Sequence, residues 1–177
     1  MALSNYIKSM SRRNGGIRSV ALIDQTEVAS VTYSAPDKGY SEITLEEGCY
    51  FSKYDIREDE AEYREEISVS NGAFTVTHEL KFMLDRMGND SAPAIAAIAE
   101  ASRNGILALV TTTNGDSYLL GYSSELGKER PLRMSAAAGT TGRQLSDGTS
   151  EVITLRSEDI TKALPFLGDT GSVFQSA

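Results

Sequence analysis

The chain has no tryptophan, one cysteine, one histidine, and an aromatic content of only 7%. A lone Cys49 excludes an internal disulfide and any cysteine-based zinc site. A lone His78 excludes the multi-histidine metal centres. The absent tryptophan weakens a carbohydrate-binding reading. No apolar run approaches the roughly 20 residues that span a bilayer, and residues 1–16 lack the apolar stretch of a secretory signal. Bases are also in short supply. Seventeen Lys and Arg face 25 Asp and Glu, giving a net charge of -8, which disfavours a protein that grips nucleic acid by its phosphates. Catalytic signatures are missing too: there is no G-x-S-x-G elbow, no phosphate-binding glycine loop and no Cys–His pair with a third member. What remains is a soluble domain of 177 residues, long enough for one real core and expected to have neither cofactor nor catalytic centre.

The elements that are present read mainly as β. Residues 17–24 and 28–33 are rich in β-branched side chains, although alternation in the first is only partial. Phe74, Val76, His78, Leu80 and Phe82 alternate with Thr75, Thr77, Glu79 and Lys81, the clearest period of two in the sequence. His78 falls in the apolar register and is expected to be a satisfied core or interface residue. Asn71-Gly72 and Asn114-Gly115 each predict a type I′ hairpin. The second joins residues 106–113 to 118–122. Further strands are expected at 43–51, 66–70, 131–138 and 152–156, and a helical turn at 157–164. One helix is predicted at 91–104, with Ser91 as its N-cap, Pro93 in the first turn and Gly105 as its stop. Hairpin connections imply antiparallel pairing, so the fold class is mainly β: an antiparallel β-sandwich or β-barrel with one packed α-helix. The expected organisation is an N-terminal arm at 1–16, one domain at 17–168 and a C-terminal tail at 169–177.

Charge is unevenly spread. Lys8, Arg12, Arg13 and Arg18 precede the first acid, Asp24. Residues 55–66, DIREDEAEYREE, hold seven acids against two arginines. A solvated face is the ordinary reading of such a run. Asp55, Glu58, Asp59 and Glu62 could also be read as a hard-cation site, but the loop lacks the spacing of a calcium loop. Between identical chains, a basic arm could lie on the acidic run of the next copy, a heterologous contact that closes into rings or propagates as filaments. That reading names Lys8, Arg12 and Arg13 on one side. Asp55, Glu58, Asp59, Glu60 and Glu62 are on the other. The punctuated stretch 34–66 suits an extended hairpin.

The order of these pieces resembles the tail tube proteins of tailed bacteriophages and related contractile particles, including prophage products of Bacteroides-like bacteria. The resembling stretch is 17–168. It comprises YSEITLEEGCYFSKYDIREDEAEYREE, the strand FTVTHELKFMLDRM, the helix from Ser91, the hairpin ILALVTTTNGDSYLLGY and the terminal GTTGRQLSDGTSEVITLRSEDITKALPF. The resemblance implies a virion protein, assembled in the bacterial cytoplasm, with no enzymatic activity. Six copies would join edge to edge into a ring, and rings would stack through the hairpin at 33–62 and the arm. DNA would pass through the lumen without specific binding, an expectation the net acidity suits. Implied partners are further copies of itself, the tape measure protein, the tail terminator and baseplate proteins, with no membrane. Alternatives within the same architecture are a terminator, head–tail connector or hub subunit, or the tube of a phage-like injection system. A monomeric ligand-binding β-barrel is the reading from another class.

Overall fold

A computed structural model describes residues 3, 5–57 and 59–174. Eleven strands, one α-helix and two single-turn 3₁₀ segments follow one another as β1 (Ile17–Asp24), β2 (Val28–Ser34), β3 (Gly39–Leu45), β4 (Ser52–Tyr54), β5 (Ala61–Ser70), β6 (Ala73–Leu84), α1 (Ser91–Asn104), β7 (Ile106–Thr112), β8 (Ser117–Leu120), β9 (Arg133–Thr140), β10 (Ser150–Asp159) and β11 (Leu164–Pro165). The 3₁₀ turns are Gln25–Glu27 and Thr170–Val173. They form a five-stranded sheet in the order β11-β8-β7-β1-β4, a four-stranded sheet β5-β6-β10-β9 and a two-stranded β2-β3 hairpin. Every pairing within these sheets is antiparallel. The fold is therefore a β-sandwich with one helix, and among the described residues no sheet closes into a barrel.

The five-stranded sheet lies in the middle. Val20, Leu22, Ala108, Val110 and Leu120 on one face pack against Leu80, Phe82, Ile153 and Leu155 of the four-stranded sheet and Ile98 of α1. Ala21, Ile23, Leu107, Leu109 and Leu119 on the other face pack against Val28, Tyr40 and Ile43 of the β2–β3 hairpin, with Phe51, Phe166 and Val173. Both faces being covered, β1 and β7 read as continuous apolar runs, VALI and ILALV. That is why alternation was only partial at 17–24. β6 has one face in solvent and keeps its period of two.

Several boundaries depart from the sequence reading. The stretch 33–62 is not one hairpin. β3 pairs β2, β4 pairs β1 and β5 pairs β6, so the segment is divided among three sheets. The long hairpin is instead β5–β6, turning at Asn71-Gly72, whose φ values of 51° and 79° fit the type I′ turn. At Asn114-Gly115 only the glycine has positive φ, and the longer loop closes by a bond from Thr112 N–H to Asp116 O. The helical turn expected at 157–164 is absent, because β10 runs on to Asp159 and β11 follows. Ser91 is not the cap but the first helical residue. Its hydroxyl accepts from Gly88 N–H at 2.9 Å. The helix ends at Gly105, whose φ of 121° and close approach to Pro131 leave no room for a Cβ. Part of the expected C-terminal tail is also seated, with Val173 buried and its carbonyl accepting from Phe51 N–H. No helix among the described residues is long and apolar enough to cross a membrane.

Candidate assembly surfaces

The four-stranded sheet has two open margins, β5 and β9. At the start of β9, Arg133 Nη1 donates to the carbonyls of Ser102 and Arg103, and Met134 N–H donates to Ser102 Oγ. These bonds seat the C-terminus of α1 on the strand. Beyond them residues 135–140, SAAAGT, are exposed on both faces and carry neither charge nor proline. Natural edge strands are ordinarily blunted by lysine, proline or a covering segment. This one is bare. The opposite margin, β5, bears Glu62, Arg64 and Glu66 on its outer face.

The β5–β6 hairpin overruns its support. The last pairing between β10 and β6 is Asp159 with Val76. Past it, β5 and β6 pair only with each other, as Ser68 with Thr75 and Val69 with Phe74. The tongue so formed continues the buried face of the sheet beyond the end of β10. Ile67, Val69 and Phe74 lie on that face and are 45%, 69% and 46% exposed. The sequence pattern reports the alternation but not where the neighbouring strand stops, so this apolar face could not be found from it.

The outer face of the same sheet is polar and balanced in charge. Cross-strand neighbours set Glu62 beside Lys81, and Glu79 between Arg64 and Arg156. With Glu66, Glu158 and Arg133, which pairs Arg156, the face holds four acids and four bases, so the acidity of the chain is not concentrated there.

The sequence-predicted contact residues do not come together within one chain. Lys8, Arg12 and Arg13 sit in an exposed, irregular arm together with Tyr6, Ile7 and Met10. The arm's root is clamped to the β7–β8 turn, where Thr113 N–H donates to Gly16 O and the Asn114 amide donates to Asn14 O. Asp55, Asp59 and Glu60 lie exposed between β4 and β5, and Glu62 lies on β5. Glu58 lies outside the described residues. Among the described residues no ion pair joins the arm to any acid, and no three His, Cys, Asp or Glu side chains gather as a metal cluster.

Two further features bear on what the molecule can bind: a buried polar cluster and a surface groove. His78 is buried between the sheets, with Nδ1 2.6 Å from the Tyr63 hydroxyl and Nε2 3.0 Å from the Thr161 carbonyl. A carbonyl only accepts, so Nε2 carries a proton and, in the neutral ring, Nδ1 accepts from Tyr63. Glu65 completes the cluster by accepting from Ala163 N–H at 2.8 Å and pairing with Lys162 at 3.1 Å. Burial first, then the neighbouring Glu65 carboxylate, push the Tyr63 phenol well above its ordinary value. Beside it, Ser123 Oγ donates to Asp159 Oδ1 at 2.9 Å, and both residues are buried. The void among these groups is about 10 Å³, room for one water at most. The cluster clamps β5 and β6 to the segment after β10 and leaves no space for a substrate. The second feature is an open groove of about 370 Å³ between α1 and the β1–β4 edge, floored by Leu22, Ile98 and Ile106.

No family model, no curated protein and no solved structure matches this chain.

Proposed function

We propose that this chain is a self-assembling structural subunit, the tail tube protein of a phage-like particle, whose copies join into rings that stack into a conduit. One observation carries the reading: a six-residue margin of β9, bare of charge and proline and open on both faces, at one side of a sheet whose other side is also open. A monomer has reason to guard such a margin, whereas a ring completes it with the β5 of a neighbour and has no free edge left. The tongue supports the same reading. Its apolar face at Ile67, Val69 and Phe74 is only partly covered in the monomer and is completed when the next ring seats on it. The polar face of the four-stranded sheet then lines the lumen. Its alternating acids and bases cancel locally, so a phosphate chain meets no net attraction and slides without being held.

A ligand-binding barrel gains no support from the interior. Among the described residues no sheet closes, and the groove beside α1 is open at the surface.

Negative-stain microscopy of the purified protein tests the proposal. Rings or tubes about 100 Å across are expected, the scale of six domains of this size around a duplex-wide pore. Single rings that never stack would move the reading to a terminator or connector. A monodisperse monomer at millimolar concentration would overturn it.

A further inference from the structure

The arm and the groove lie at opposite ends of the same strand. β1 leaves the arm at Ile17, where it pairs Thr112 next to the β7–β8 turn. It reaches the groove at Leu22, Ile23 and Asp24. At about 3.3 Å per residue the two sites are roughly 23 Å apart, and the clamp on Gly16 and Asn14 fixes the arm's root at the far end. The groove has an apolar floor and an acidic rim of Asp24, Glu27 and Glu100, with no lysine or arginine in its wall. Arg103 reaches Glu100 at 3.5 Å, but both side chains are more than 70% exposed. So exposed a pair is weak and is readily exchanged for another. The arm is the complement in both respects. It exposes Tyr6, Ile7 and Met10 alongside Lys8, Arg12 and Arg13, and residues 1–16 hold no acid.

We propose that the groove between α1 and the β1–β4 edge receives the N-terminal arm of a second copy, with Ile7 and its apolar neighbours on the floor and Lys8, Arg12 and Arg13 on the Glu27–Glu100 rim. An arm leaving one end and a groove opening at the other make a head-to-tail contact, which propagates along an axis rather than closing a dimer. At about 370 Å³ the groove is at the small end of ligand sites, enough for a few apolar side chains of an extended strand. The inference rests on the self-assembly reading only in requiring a second copy. It replaces the acidic run at 55–62 as the arm's target.

Three full-length variants test it by sedimentation velocity, each first checked for native circular dichroism. K8E/R12E/R13E reverses the arm and E27K/E100K reverses the rim. Each alone is expected to weaken head-to-tail association at least tenfold, and an equimolar mixture to restore it, since every arm then meets a rim of opposite sign. D59K/E60K is expected to leave association unchanged. Loss of association with D59K/E60K, or no rescue in the mixture, overturns the proposal. A second measurement is independent of ring formation. In a Cys49→Ser background, Ile7→Cys with Ala97→Cys should oxidise to a ladder of linked chains whose length grows with protein concentration. A purely intramolecular product, or none, overturns the inference. Stacked tubes that persist in E27K/E100K would remove the groove and leave the tube reading standing. A ladder without rings would do the reverse.

Discussion

The five-stranded and four-stranded sheets are built of similarly regular antiparallel strands, yet they stand in opposite relations to water. The first is covered on both faces by layers of its own chain. The second is covered on one, and its two margins and its tongue are left open. Regular strand geometry is therefore not what separates interior from surface in this molecule. What separates them is whether a partner is supplied within the chain. The central sheet holds the fold together, and the outer sheet presents unfinished structure.

Side-by-side substitutions sharpen that contrast. In β7, neighbouring positions face different layers and both are intolerant. Leu109→Ala should cost about 2–5 kcal/mol by denaturant unfolding, and Val110→Ala somewhat less. In β6, Phe82→Ala should cost about 3–5 kcal/mol, while Lys81→Ala next to it should stay within about 0.5 kcal/mol. If Lys81 proved as costly as Phe82, the outer face would be covered and the comparison would collapse. The converse experiment targets the open margin. Ala136→Lys with Ala138→Lys should leave the unfolding midpoint nearly unchanged and raise the concentration needed for rings at least tenfold, about 1.4 kcal/mol. Undiminished ring formation would show that β9 is not a joining edge.

The seam between the two sheets is the next test. Tyr63→Phe removes the donor to His78 Nδ1 and leaves a buried ring nitrogen without a partner, a loss of about 1–3 kcal/mol. It should also alter the alkaline limb. The phenols of Tyr63 and Tyr40 are both pushed up, chiefly by burial. In the unfolded chain these two phenols ionise near pH 10, before they do in the fold. Stability is thus fully present below about pH 10 and falls as pH rises beyond it. Tyr63→Phe should flatten that fall. An unchanged slope between pH 10 and 11.5 would mean the phenol is no better protected in the fold than outside it.

The sequence was legible where one face is dry and the other wet, and where backbone chemistry is local. β6 and the type I′ turn at Asn71-Gly72 are of this kind. It was less legible where an inward position is polar. β5 turns Ala61, Tyr63 and Glu65 inward, and Glu65 among seven acids made the strand read as loop. Only the fold supplies Ala163 N–H and Lys162 to satisfy it. The extended stretch at 33–62 failed for a related reason: its strands find partners in three different sheets, and no local pattern names a distant partner. The basic arm and the acidic run were visible as charge, but the groove was not. Its rim draws on Asp24, Glu27 and Glu100, which are separated in sequence and joined by the packing of α1.

The smallest expected effect concerns how that helix is held. Burial works against the ionised Asp24 carboxylate, but hydrogen bonds donated by Thr26 N–H at 2.9 Å, the Asn104 amide at 2.7 Å and the Thr26 hydroxyl at 2.8 Å outweigh it. The net result is a carboxyl held below its ordinary value. The unfolded chain therefore takes up this proton first as pH falls. The stabilisation is complete above about pH 4 and is lost on going down through the folded value. Because Asp24 ends β1 and Asn104 ends α1, its protonation loosens the join between the helix and the central sheet, not the sheet itself. Asp24→Asn should cost well under the core substitutions at pH 7, and the gap between variant and wild type should close as pH falls through that lowered value. Amide hydrogen exchange should place the added opening in the last turn of α1 and leave β7 protected. Equal loss of protection in β7 would mean that the central sheet depends on the helix join after all, and that the two sheets are less independent than their layers suggest.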